Sequence, residues 1–139
     1  MRETGIVNGD ICDVLSTLGH TDEMIVCDAG FAIPTGVRTV DISLAENKPT
    51  VPEVLAELRK HLSVEKLVIS EETKKVVPTR FKQLAKAFGA GVEVEIVTQT
   101  ALRARARTVK AVIRTGDFTA YSNVLVVSGG GGRWYVEKK

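Results

Sequence analysis

Short unbroken apolar runs, each separated from the next by a stretch of helical periodicity, constrain this chain more than any other feature. Residues 24–28 (MIVCD), 66–70 (KLVIS) and 110–113 (KAVI) are such runs. Buried on both faces, a strand has no reason to alternate polar with apolar residues, so runs of this kind predict a mainly parallel sheet covered by helices. Between them Ile11, Val14, Leu15 and Leu18 recur at i, i+3, i+4 and i+7, predicting a helix over 10–18. Gly19 is expected to end it by accepting a left-handed backbone. Thr50 and Glu53 fit a capping box opening a helix with Val51, Val54, Leu55, Leu58 and Leu62 on one face. Further helices are expected over 80–88 and 98–107, with strands over 37–43, 92–97, 110–114 and 123–127. The fold class is therefore α/β: a three-layer α/β/α sandwich with a mainly parallel central sheet, in a single domain.

At 139 residues the chain is long enough for one core. Residues 1–128 form the expected domain. Residues 129–139 form a glycine-rich extension, beginning with four glycines and read as either an edge strand or a flexible tail. A net charge of +2 and 5% aromatic residues provide neither a field nor a stacking surface for nucleic acid. Arg103, Arg105 and Arg107 look basic, but residues two apart on a helix point nearly opposite ways, so a solvated helix face is expected. No apolar run reaches the ~18 residues of a membrane span. The opening MRETGIVNGD lacks the apolar core of a signal peptide, so a cytoplasmic location is expected. Cys12 and Cys27 have neither disulfide nor metal-ligand spacing, and no metal or cofactor is expected.

The chemistry concentrates in two places. The segment RTGDFTAYSN (114–123) follows an apolar run and presents a phenol and a carboxamide, Tyr121 and Asn123, just beyond a strand. Both groups suit a ligand rich in hydroxyls, since each can donate and accept hydrogen bonds. Near the N-terminus, LGHTD (18–22) supplies His20 and VCDAG (26–30) supplies Asp28. Open α/β sheets bind ligands at the carboxyl ends of their strands, where Asp28 is expected. Each residue also has a plainer reading: His20 as a helix C-cap, Asp28 as a cap or turn former, Tyr121 as packing with a wet tip, Asn123 as a turn residue. His61, at the edge of an apolar helix face, reads as structural, and Cys27, inside an apolar strand, as inert.

The block MRETGIVNGDICDVLSTLGHTDEMIVCDAGFAIPTGV, with RTGDFTAYSN downstream, resembles the D-ribose pyranase family of the ribose/fucose mutarotase superfamily. The L-fucose mutarotases share the LGH-x-D histidine and a Tyr-x-Asn pair. They carry a histidine-aromatic-proline segment where this chain has Ala29-Gly30-Phe31-Ala32-Ile33-Pro34. The resemblance implies an isomerase that interconverts pyranose and furanose forms of D-ribose without cofactor or metal. It implies that His20 is the proton donor, with Tyr121 as a possible acid or base, and that Asp28, Tyr121, Ser122 and Asn123 line the sugar site. It also implies a cytoplasmic homo-oligomeric ring, a decamer or octamer, with sites between subunits. Gln99 stands where that pattern usually has a second histidine, and it can bond a hydroxyl but not carry a proton at neutral pH. Two alternatives follow: a mutarotase of another sugar such as L-fucose, or a non-catalytic sugar-binding subunit of an uptake system.

Overall fold

The computed structural model describes residues 1–137. Six strands form one sheet: β1 (Glu23–Cys27), β2 (Thr39–Asp41), β3 (Val64–Ser70), β4 (Glu93–Val97), β5 (Ala111–Arg114) and β6 (Val124–Ser128). Their order is β2-β5-β1-β6-β3-β4. The β2–β5, β5–β1 and β3–β4 pairs are parallel, whereas β6 runs antiparallel to both neighbours. The sheet is therefore mixed but mostly parallel, as the unbroken apolar runs require. β1, β5 and β6 are buried almost throughout, which explains their near-continuous Val, Ile, Leu and Met content.

Five helices cover the sheet: α1 (Gly9–Thr17), α2 (Val51–Arg59), α3 (Glu71–Val76), α4 (Pro78–Ala85) and α5 (Gln99–Arg105). Ile11 and Val14 of α1, the apolar face of α2 and Leu84 of α4 pack with Met24, Val26, Leu67, Ile69, Ile113 and Val124 on one face. The other face is covered by Leu102 of α5 together with Phe31, Ala106 and Val109, against Ile25, Cys27, Val68, Val112, Leu125 and Val127. Alternate residues of each strand thus feed two separate cores, giving the three layers. The capping box on α2 is complete, with Thr50 accepting from the Glu53 amide and Glu53 accepting from the Thr50 amide.

Several local expectations are corrected. The left-handed residue after α1 is Thr21, at φ 71°, not Gly19. Gly19 instead donates its amide to Asp22 Oδ2 at 2.7 Å, and a side chain there would press on that carboxylate at 3.3 Å. The second strand is only three residues long. The helix α3 lacks an apolar stripe and buries only Thr73, so periodicity gave no sign of it; Ser70 caps it. Among the described residues, 129–137 form no strand, so the edge-strand option for the tail is not realised there. No helix among the described residues is long and apolar enough to cross a membrane.

Candidate functional site

The ends of β1 and β5 and the start of β6 meet at one end of the sheet's strands, where the parallel strands β1 and β5 stop together. Loops leaving these ends frame a cleft of about 830 Å³ lined by Asp28, Gln99, Tyr121 and Asn123, among others. Asp28 follows directly on β1, and Asn123 directly precedes the antiparallel β6, so the sheet itself sets them side by side. The Asn123 Oδ1 accepts the backbone N–H of Asp28 at 2.9 Å. That bond orients the carboxamide and leaves its NH₂ group without a protein partner among the described residues.

Asp28 is 8% exposed. Burial pushes its carboxyl above the ordinary Asp range, while the Gly30 amide and Asn123 work in the opposite direction and the Asp117 charge adds to the rise. The Gly30 amide donates to Asp28 Oδ1 at 3.0 Å. Cys27, next to it, is inert: burial, followed by the Asp28 charge, pushes its thiol up to about 12.

Tyr121 reaches the cleft from the β5–β6 loop with its backbone at φ 56°, a region that non-glycine residues avoid. Two contacts hold it there. Thr73 of α3 donates its hydroxyl to the Tyr121 carbonyl at 2.7 Å, and the following Ser122 accepts from Arg80 at 2.6 Å. Ser122 is fully buried and is not among the residues lining the cleft; its hydroxyl accepts from Arg80 within the loop. Gln99 opens α5, its amide donating to Glu72 at 2.7 Å. Its Oε1 is the one buried side-chain oxygen or nitrogen without a partner among the described residues, and the residue lines the cleft. An acceptor left free in such a position suits a ligand hydroxyl.

His20 lies elsewhere. It precedes β1, whereas Asp28 follows it, and the five residues of that strand at ~3.3 Å each put the two at opposite ends of the sheet's strands. Its ring pairs with Glu65 of β3, Nε2 to Oε2 2.8 Å, beside Gly130, and its side chain is 59% exposed. Within one chain His20 and Tyr121 therefore share no cleft. His61 sits by the N-terminal segment near Gly5, away from the cleft. The described residues contain no group of His, Cys, Asp and Glu able to hold a metal.

Arg114 and Arg103 are among the cleft residues that the sequence reading did not assign to the site. Arg114 donates through Nε and Nη2 to the Ala29 carbonyl, at 3.2 and 2.9 Å, and through Nη1 to Asp41 and Ser43. It thereby fixes the loop after Asp28. Arg103 stands exposed on α5 and lines the cleft. The signal for Arg114 was its place at the end of a buried strand; Arg103 offered only its helical spacing.

Residues 1–130 match the model of the RbsD / FucU transport protein family. A D-ribose pyranase of Streptococcus uberis is 40% identical over 129 residues, covering 93% of this chain and 98% of that protein. The structure of Bacillus subtilis RbsD complexed with D-ribose superposes with a TM-score of 0.88 at 34% identity, covering 93% of this chain and 98% of that one. The fucose mutarotase of Streptococcus pneumoniae, in complex with L-fucose, superposes with a TM-score of 0.67 at 13% identity, over 90% and 94% of the two chains. At that identity the last likeness shows the fold alone.

Proposed function

This chain belongs to the RbsD/FucU transport protein family, and from that premise we propose that it is a D-ribose pyranase, an isomerase that interconverts the pyranose and furanose forms of D-ribose. The observation that carries the reading is the 40% identity to a D-ribose pyranase over 93% of the chain. The cleft agrees with it chemically: a carboxyl, a carboxamide, a phenol and a free amide oxygen suit a small polyol.

The reaction opens and recloses a hemiacetal. The anomeric hydroxyl loses its proton, the bond from the anomeric carbon to the ring oxygen breaks, and that oxygen takes up a proton. Rotation of the open aldehyde then lets a different hydroxyl add to it. A barrier of roughly 21 kcal/mol corresponds to minutes without help. One well-placed acid or base contributes about 10² to 10⁴. In this reading His20 protonates the ring oxygen. Asp28 and the Asn123 NH₂ group hold sugar hydroxyls, Tyr121 is the partner acid or base at the anomeric oxygen, and Gln99 Oε1 accepts from a further hydroxyl. Ser122 acts through the loop.

His20 enters the same site from a second copy of the chain, within a cytoplasmic homo-oligomeric ring. What supports this is that the cleft has no histidine in its own lining, while the exposed His20 ring stands at the far end of β1. A single copy cannot bring them together.

Saturation-transfer NMR on D-ribose tests the proposal. The protein should accelerate pyranose–furanose exchange, and His20→Ala should abolish the acceleration while preserving the fold. Ribose binding with no change in exchange would instead leave a sugar-binding subunit, and acceleration confined to L-fucose anomers would make the chain a mutarotase of that sugar.

A further inference from the structure

Arg80 and Asp117 form a buried ion pair at the wall of the cleft, with side chains 15% and 0% exposed. Asp117 begins the site loop as part of RTGDFTAYSN, whereas Arg80 belongs to α4, 37 residues earlier. The pair ties three elements to one point. Asp117 Oδ2 accepts from Arg80 Nη1 and, at 2.8 Å, from the amide of Val51 that opens α2; Asp117 Oδ1 accepts from the Thr119 amide at 2.8 Å. The same Arg80 Nη1 donates to Ser122 Oγ at 2.6 Å, and Arg80 Nε donates to Gln83 at 2.9 Å. Arg80 therefore spans the loop from its first acidic residue to the position next to Tyr121, without lining the cleft itself.

Tyr121 needs such a span. At φ 56° its backbone occupies a region from which an L-residue relaxes unless both flanks are held. Thr73 holds its carbonyl, and Arg80 holds the residue after it. A planar guanidinium suits this job because its directions are fixed and its charge is permanent, so the loop geometry persists across the pH range in which a histidine titrates.

We propose that Arg80 is a positioning residue for the isomerase reaction: braced by Asp117, it locks Tyr121 in the left-handed backbone conformation that carries the phenol into the sugar cleft. The chemistry rests on the pyranase reading above; the loop geometry does not.

Two measurements on the full-length chain separate these. The chain has two tyrosines, Tyr121 and Tyr135, so 3-fluorotyrosine labelling gives two ¹⁹F resonances, assigned with Tyr135→Phe. In Arg80→Met the Tyr121 resonance should shift or split while that of Tyr135 stays, and kcat for ribose exchange should fall by about tenfold to a hundredfold. In a Tyr121→Phe background the same Arg80 change should cost little further activity, since it acts through the phenol. An unchanged Tyr121 resonance, unchanged exchange, or fully additive losses would each overturn the proposal. Should Arg80→Met not fold, Ser122→Ala removes the loop end of the tether and leaves the ion pair; an unaltered Tyr121 resonance there overturns the proposal equally. Wild-type protein that fails to accelerate exchange removes the pyranase reading, and the ¹⁹F resonances still report whether Arg80 holds Tyr121.

Discussion

The carboxamide oxygen of Asn123 accepts the backbone N–H of Asp28 at 2.9 Å, joining residues 95 positions apart inside the buried floor of the cleft. The antiparallel pairing of β1 with β6 makes this possible, because the end of one strand lies beside the start of the other. Asn123 thus does two things: it satisfies a buried amide and leaves its NH₂ group free in a residue that lines the cleft.

Asn123→Ala should therefore lower both stability and sugar affinity. Leaving the Asp28 amide unpaired costs about 1–3 kcal/mol, readable in urea unfolding. KM for ribose should rise as well. A variant of unchanged stability would mean that the amide finds another acceptor.

Asp28 leads to the opposite pairing of effects. Burial raises its pKa in the folded protein, so between the unfolded and folded values the native state binds more protons than the unfolded chain. Stability from this group is thus greatest at low pH and declines as pH rises from about 3.9, the unfolded value, through the folded one. Asp28→Asn removes that decline and can still accept from Gly30, so at pH 7 its Tm should equal or exceed that of the wild type while exchange activity falls. A markedly lower Tm would show that the carboxylate stabilises the loop.

A site shared between copies has a direct test by mixing. As pure assemblies His20→Ala should be inactive and Tyr121→Phe should keep only a small residual exchange. Co-assembled in equal amounts from the unfolded state, they should regain about a quarter of wild-type exchange, because that share of sites draws an intact histidine and an intact tyrosine from different copies. No recovery in mixed assemblies would mean that both residues must come from one chain.

Gly116 sits where the site loop crosses the turn before α2. A side-chain carbon there would lie 2.4 Å from the Ala45 carbonyl oxygen and 2.7 Å from that of Lys48, both backbone atoms. The Gly116 amide donates to Pro49 and its carbonyl accepts from Asn47, so the crossing cannot simply open. Gly116→Ala should destabilise the fold by about 1–3 kcal/mol and depress exchange through the Asp117–Asn123 loop. A silent substitution, by thermal melts and NMR exchange, would show that the turn moves freely.

The sequence by itself determined the strands, because burial on both faces leaves unbroken apolar runs at β1, β3 and β5. It also determined the α2 cap, because Thr50 and Glu53 satisfy each other's amides within one turn. Asp28, Tyr121 and Asn123 were legible as cleft residues because they lie beyond strand ends, whereas Gln99 was legible only through the family resemblance. Only the tertiary structure decided that His20, eight residues before Asp28, lies at the opposite end of the sheet's strands, since an extended strand carries the chain away from its own start. It alone brought Arg80 to Asp117 and Ser122 and set Tyr121 at a positive φ. Periodicity and capping act over a few residues, whereas these contacts depend on which strands and helices become neighbours, and that is fixed by packing across the whole chain.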